Sequence, residues 1–120
     1  MKRDIELVRE IIIELSEGKY KSSIKWDSEE DKLYYYHLEI MRDQGLISFN
    51  ETKTKDKVLF YDPPKLTWLG NDFLQTFSND SVWVNTKNLL KRLGFDIAHI
   101  SAEMLIELGK AQVKQWLGME

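Results

Sequence analysis

The chain has no cysteine, which excludes a disulfide framework and any thiolate metal site and argues against a small secreted scaffold. It has only two prolines and six glycines, so no linker or low-complexity tract rich in either divides it. Its two histidines, His37 and His99, lie far apart, so no pair of histidines at metal-binding spacing exists. No apolar run approaches the length of a membrane span. Charges at Lys2, Arg3, Asp4, Glu6, Arg9, Glu10 and Glu14 interrupt the start of the chain, where a signal peptide would need an unbroken apolar core. These absences lead to the expectation of a cytoplasmic protein with no membrane partner. A phosphate-cradling glycine loop and a nucleophile elbow are also missing. The adjacent carboxylates Glu29, Glu30 and Asp31 diverge around a helix and suit a helix N-terminus better than acid–base chemistry. The chain is therefore expected not to be an enzyme and to need no cofactor or metal.

What is present is apolar material: 42% of the 120 residues are hydrophobic and 12% aromatic. That suffices to order a chain of this size, and the length suits one domain. The net charge is −3, from 17 basic and 20 acidic residues. Mild acidity lowers the expectation of a dedicated DNA binder, whose affinity rests on neutralising phosphates, while leaving room for a local basic patch.

Hydrophobic spacing at Ile5, Val8, Ile12 and Leu15 predicts a helix over Arg3–Glu17, stopped by Gly18. Lys21–Trp26 reads as a brief strand. Ser28 caps a second helix reaching Gln44, with Gly45 as its stop. Its buried side is expected at Leu33, Tyr34, His37, Leu38, Ile40 and Met41, and its outer side at Asp31, Lys32, Tyr35, Glu39, Arg42 and Asp43. Leu46–Asn50 and Val58–Tyr61 read as two strands around the charged segment Glu51–Lys57, with Asp62, Pro63 and Pro64 ending the second. Thr67 caps a helix to about Phe77. Asp80 caps another, with Val82, Thr86, Leu89, Leu90 and Leu93 inward. Asp96 caps the last, with Phe95 stapled on Ile100 and a stripe of Ile97, Ile100, Met104, Leu108 and Ala111; Gly109 makes Ser101 a rival start. Trp68 and Trp83 are expected in the core.

This order gives an α+β, mainly α fold: a winged-helix-like domain with a two-stranded wing and additional C-terminal helices. The whole of 1–120 is expected as one domain, with a core over 1–77 and a helical extension over 78–120. The stretch Tyr36–Ile47, which ends in Gly45-Leu46-Ile47, looks like a recognition helix running into a wing. The interval Gly18–Asp27 is too short for a separate positioning helix plus a turn. The opening Met1–Arg9 and the later Leu66-Thr67-Trp68-x-Gly70-x-Asp72-Phe73-Leu74, continuing to Asn79-Asp80-Ser81-Val82-Trp83, resemble the bacterial and phage domain-of-unknown-function family 2513. Leu69 departs from that pattern, where an acidic residue is expected. The resemblance implies a winged-helix-like domain of phage and prophage settings and implies no activity.

Two functional readings follow. In the first, the chain is a transcriptional or DNA-associated accessory factor on double-stranded DNA, with Tyr35 and Arg42 of the helix and Lys53, Lys55 and Lys57 of the wing as contacts. In the second, it is an acidic protein-binding module, an inhibitor or adaptor acting on a host, defence or phage protein through Asp31, Tyr35, Glu39 and Asp43. Residues 28–44 hold two basic against five acidic residues, which favours the second; residues 50–57 hold three against two, which favours the first. A homodimer through the C-terminal helix fits either reading.

Overall fold

The computed structural model describes residues 1–118. Helix α1 (Ile5–Ser16) begins at a cap, because the Asp4 carboxylate accepts from the Glu6 N–H at 3.0 Å. It buries Val8, Ile11 and Ile12. After a loop and the short strand β1 (Ser23–Lys25), residues 26–28 lead directly into α2 (Glu29–Asp43), with no helix between. Ser28 caps α2 through Asp31 N–H at 3.1 Å. Gly45, at φ +77°, takes the left-handed turn that ends it.

Strands β2 (Ile47–Lys53) and β3 (Lys57–Leu66) follow, and the sheet has the antiparallel order β1-β3-β2. Both hairpin strands outrun the sequence expectation. The pair does not end at Asp62-Pro63-Pro64, because β3 carries two extra residues against β2. Asn50 pairs with Asp62 and Ser48 with Lys65, so the prolines fall inside a bulge, where a missing N–H costs no ladder bond.

Helix α3 (Trp68–Phe77) starts at the expected Thr67 cap. Helix α4 (Asp80–Arg92) is capped by Asn79, whose side chain accepts from Ser81 and Val82 N–H, and Asp80 becomes its first residue. Leu93, expected inside, is exposed. Asp96 does cap, but only a 3₁₀ turn (Ile97–His99); Ser101 caps α5 (Ala102–Trp116). That later start rotates the buried stripe to Ala102, Leu105, Ile106 and Gly109, and leaves Met104 and Ala111 outside. Phe95 is exposed and forms no staple on Ile100.

The fold is α+β and mainly helical, with one core drawn from every helix. Ile11, Ile12, Leu38, Phe73, Phe77, Trp83, Leu90, Leu105 and Ile106 are all buried in it. His37 is fully buried and satisfied. Its Nε2 accepts from Asp4 N–H and its Nδ1 donates to the Leu33 carbonyl, both at 2.9 Å, which ties α2 to the start of α1. Among the described residues no helix is long and apolar enough to cross a membrane.

Candidate interaction surface

The junction of α2 with the β2–β3 hairpin, which stands where the wing is expected and is called the wing below, decides what either functional reading can use. Tyr35, expected on the outer face, is only 4% exposed. Its ring meets Trp26 and Phe49 edge-on, at centroid distances of 5.9 and 6.4 Å, and its hydroxyl donates to Glu51 at 2.8 Å. Burial, then the bond to Glu51, pushes the Tyr35 phenol far above the usual tyrosine range. Arg42 is also turned inward. Its guanidinium lies 3.9 Å from the Phe49 ring centroid and donates to Glu51 and to the Phe49 carbonyl. Both helix residues assigned to DNA therefore hold the wing to α2. The buried face of α2 is Tyr35, His37, Leu38 and Met41, because the sheet supplies an aromatic and ionic seat that helical spacing alone does not show.

Asp31 is committed too. Its carboxylate accepts from Lys25 N–H at 2.9 Å and pairs with Lys21 at 3.2 Å. The backbone bond, followed by the Lys21 charge, holds this carboxyl below its ordinary range, and the Lys21 ammonium is raised in turn. Lys32 is bound to Glu29 at 3.1 Å. The outer side of α2 thus keeps Glu39 and Asp43 from the expected acidic set, with Tyr36 and Ile40 half-buried beside them. The structure does not bring Asp31, Tyr35, Glu39 and Asp43 together as one contact face.

The wing lysines Lys53, Lys55 and Lys57 are exposed, and none has an ion-pair partner among the described residues. Lys25 stands opposite Lys57 in the β1–β3 register and joins them. Of the basic residues on α4, Lys87 is bound to Glu6. Burial raises the Glu6 carboxyl, but hydrogen bonds from Lys87 and Trp83 overcome this and leave it lowered. His99 is exposed. Among the described residues no group of three or more His, Cys, Asp or Glu could hold a metal.

The residue missed by sequence reasoning is Trp68. Expected in the core, it is 88% exposed. Its neighbours are all occupied. Thr67 caps α3 through Gly70 N–H at 3.1 Å, and its hydroxyl donates to the Gly45 carbonyl. Thr67 N–H donates to the Leu46 carbonyl at 3.0 Å. Gly70 lies so close to that carbonyl that a Cβ would collide with it. Leu66 packs on the core. Trp68 is the one large apolar side chain of Leu66–Leu74 that is exposed, next to the turn that ends α2 just after Asp43. The helical wheel carries the signal: Trp68 lies about 140° from Phe73 and about 180° from Phe77.

A family model described as "Hypothetical protein (DUF2513)" matches residues 2–96. The chain belongs to this family. The DUF2513 match covers α1, α2, the wing, the Trp68 stretch and α4, and ends before α5. A protein of Haemophilus influenzae described as "Uncharacterized protein" is 26% identical over 102 residues, covering 82% of this chain and 86% of that one. No solved structure matches.

Proposed function

We propose that the chain is a winged-helix-like protein-binding module, an inhibitor or adaptor whose contact face joins Trp68 to the acidic end of α2 at Glu39 and Asp43. The observation that carries this reading is the exposure of Trp68 within a stretch where Leu66, Thr67 and Gly70 all have structural work. A tryptophan left in water is the residue type most enriched at binding hot spots. The acidic side supports it: both cations of α2, Lys32 and Arg42, are held within the chain, so the helix offers phosphates little but carboxylates. In the phage or prophage setting that the family resemblance implies, the partner is a host, defence or phage protein. No catalytic chemistry is assigned.

The test is crosslinked capture from host lysate with three variants: Trp68→Ala, Glu39→Lys with Asp43→Lys, and Lys53→Glu with Lys55→Glu and Lys57→Glu. The first two should lose the captured protein while the wing variant keeps it, with far-UV circular dichroism unchanged in all three. Capture indifferent to Trp68 and to the α2 charges would remove this face from the proposal.

The unpaired lysines Lys25, Lys53, Lys55 and Lys57 favour a second reading, a DNA-associated accessory factor that touches only backbone. Fluorescence anisotropy with random duplex DNA would then show affinity falling with salt, at a log–log slope of about −0.9 per phosphate contacted. Absence of binding at low salt would eliminate it.

A further inference from the structure

A groove of about 310 Å³ lies between α1 and the first half of α2. Its apolar lining includes Leu7 and the exposed side chains of Tyr20 and Leu33. Its rim carries Glu10 and Glu14, one helical turn apart on α1, where like charges repel. Neither carboxylate has a cation within ion-pair distance among the described residues. Glu30 reaches Lys21 at 3.5 Å, but Lys21 is closer to Asp31 at 3.2 Å. The groove is therefore mixed in lining, apolar at Leu7, Tyr20 and Leu33, and net negative, with Glu10, Glu14 and Glu30 against Lys21.

The opposite arrangement stands next to it. Lys25, Lys55 and Lys57 gather around Trp26 at the wing tip, with Asp27 and Asp56 between them. Trp26 is half-buried, its indole N–H donating to the Thr54 carbonyl at 3.0 Å. A shallow depression lined by Tyr20, Lys21 and Lys25 joins groove to wing, sharing Tyr20 and Lys21 with the first and Lys25 with the second. The negative groove and the positive tip thus lie side by side on one continuous surface. A surface whose adjacent halves carry opposite charge complements itself after a half-turn, which is the condition for an isologous contact.

We propose that two copies of this chain associate about a two-fold axis through this surface. The wing-tip lysines of each copy face Glu10 and Glu14 of the other, and their aliphatic stems lie over Tyr20 and Leu33. The contact relieves the Glu10–Glu14 repulsion and leaves Trp68 free on α3. It stands independently of the protein-binding reading.

Sedimentation velocity on the full chain, from micromolar to near-millimolar and at low and high salt, tests this. The wild type should form dimers that weaken with salt, since exposed charge pairs are screened. Glu10→Lys with Glu14→Lys, and separately Lys55→Glu with Lys57→Glu, should each weaken dimerisation at least about tenfold. Mixing the two reversed variants one to one should restore it, because both contacts of the mixed dimer then pair opposite charges. Circular dichroism confirms that each variant is folded. A wild type that stays monomeric at the highest concentration would overturn the proposal. So would a dimer indifferent to both reversals, such as one through α5, or a mixture that stays monomeric.

Discussion

Tyr35 shows how one side chain can be misplaced by helical spacing and still be explained by chemistry. Three consecutive tyrosines cannot all be buried on one helix, and the middle one goes inside because Glu51 offers its hydroxyl an acceptor at 2.8 Å. Tyr35→Phe should destabilise the fold by about 1–2 kcal/mol, measured by chemical denaturation, because Glu51 loses a donor beneath the wing. Tyr35 has a second consequence in alkali. The folded chain keeps a phenol proton that the unfolded chain releases near pH ~10. Stability from this source is complete below that pH and declines as the pH rises through it. The melting temperature should therefore fall above about pH 10, and the fall should be shallower in Tyr35→Phe. Tyr34 is raised as well, by burial first, so the slope should lessen rather than vanish.

Gly109 is the informative position among the elements. A glycine weakens a helix interior by its propensity, yet Gly109 is where α5 meets α3. A Cβ there would stand 2.5 Å from Thr76 Cγ2 and 2.7 Å from the Phe77 ring. Ala is favoured over Gly in a helix by about 1 kcal/mol, but overpacking costs about 1–3 kcal/mol. Gly109→Ala should therefore lower the denaturation midpoint; a rise would show that Phe77 can move aside. Most elements were legible because their signals are local: Ser28 and Thr67 as caps, Gly18 and Gly45 as stops, and a charged hairpin between. The burial of Tyr35 and the engagement of half-buried Arg42 were not, because both depend on Glu51 and Phe49, which come from another element. Nor was the passage of β3 through Pro63 and Pro64, since a bulge depends on the register of its partner. The start of α5 was half-legible: Asp96 and Ser101 both cap, one for a single turn and one for a helix. Of the candidate site, Lys53, Lys55, Lys57 and Asp43 are exposed, Glu39, Asp31 and Arg42 are half-buried, Tyr35 is buried, and Trp68, expected inside, is exposed.

In the whole molecule, the boundary of the family match does not coincide with the boundary of the core. The match ends at residue 96, while Leu105 and Ile106 of α5 are buried against the rest. Gln44, which caps the end of α2, accepts from Ala102 N–H at 2.9 Å, and the Arg3 guanidinium donates to the Ile100 carbonyl at 3.2 Å. A version ending at residue 96 would uncover Phe73, which lines a cavity with Ala102 and Leu105, and Phe77, which packs on Gly109. It should lose cooperative unfolding and bind a hydrophobic dye, as loosely packed states do. A sharp melting transition in that version would instead make α5 an accessory. The cation–carboxylate links of α1 to α4, Arg9 to Asp80 at 2.6 Å and Lys87 to Glu6, would remain in it. They are surface pairs and contribute too little to replace a lost apolar layer.

The two prolines of β3 have a consequence for colloidal behaviour. β1 pairs only with Lys57–Leu59, so the side of β3 beyond Leu59 has no neighbouring strand from β1. An open strand edge is a template on which foreign strands add and fibrils grow. Pro63 and Pro64 lack backbone donors and sit at a bulge that kinks the strand, and both devices make an edge a poor template for an incoming strand. Replacing the exposed Pro63 by threonine, with the buried Pro64 left in place, should leave the native fold nearly as stable while shortening the lag before thioflavin-positive aggregates form on gentle heating. An unchanged lag would mean that another part of the surface already keeps the edge closed.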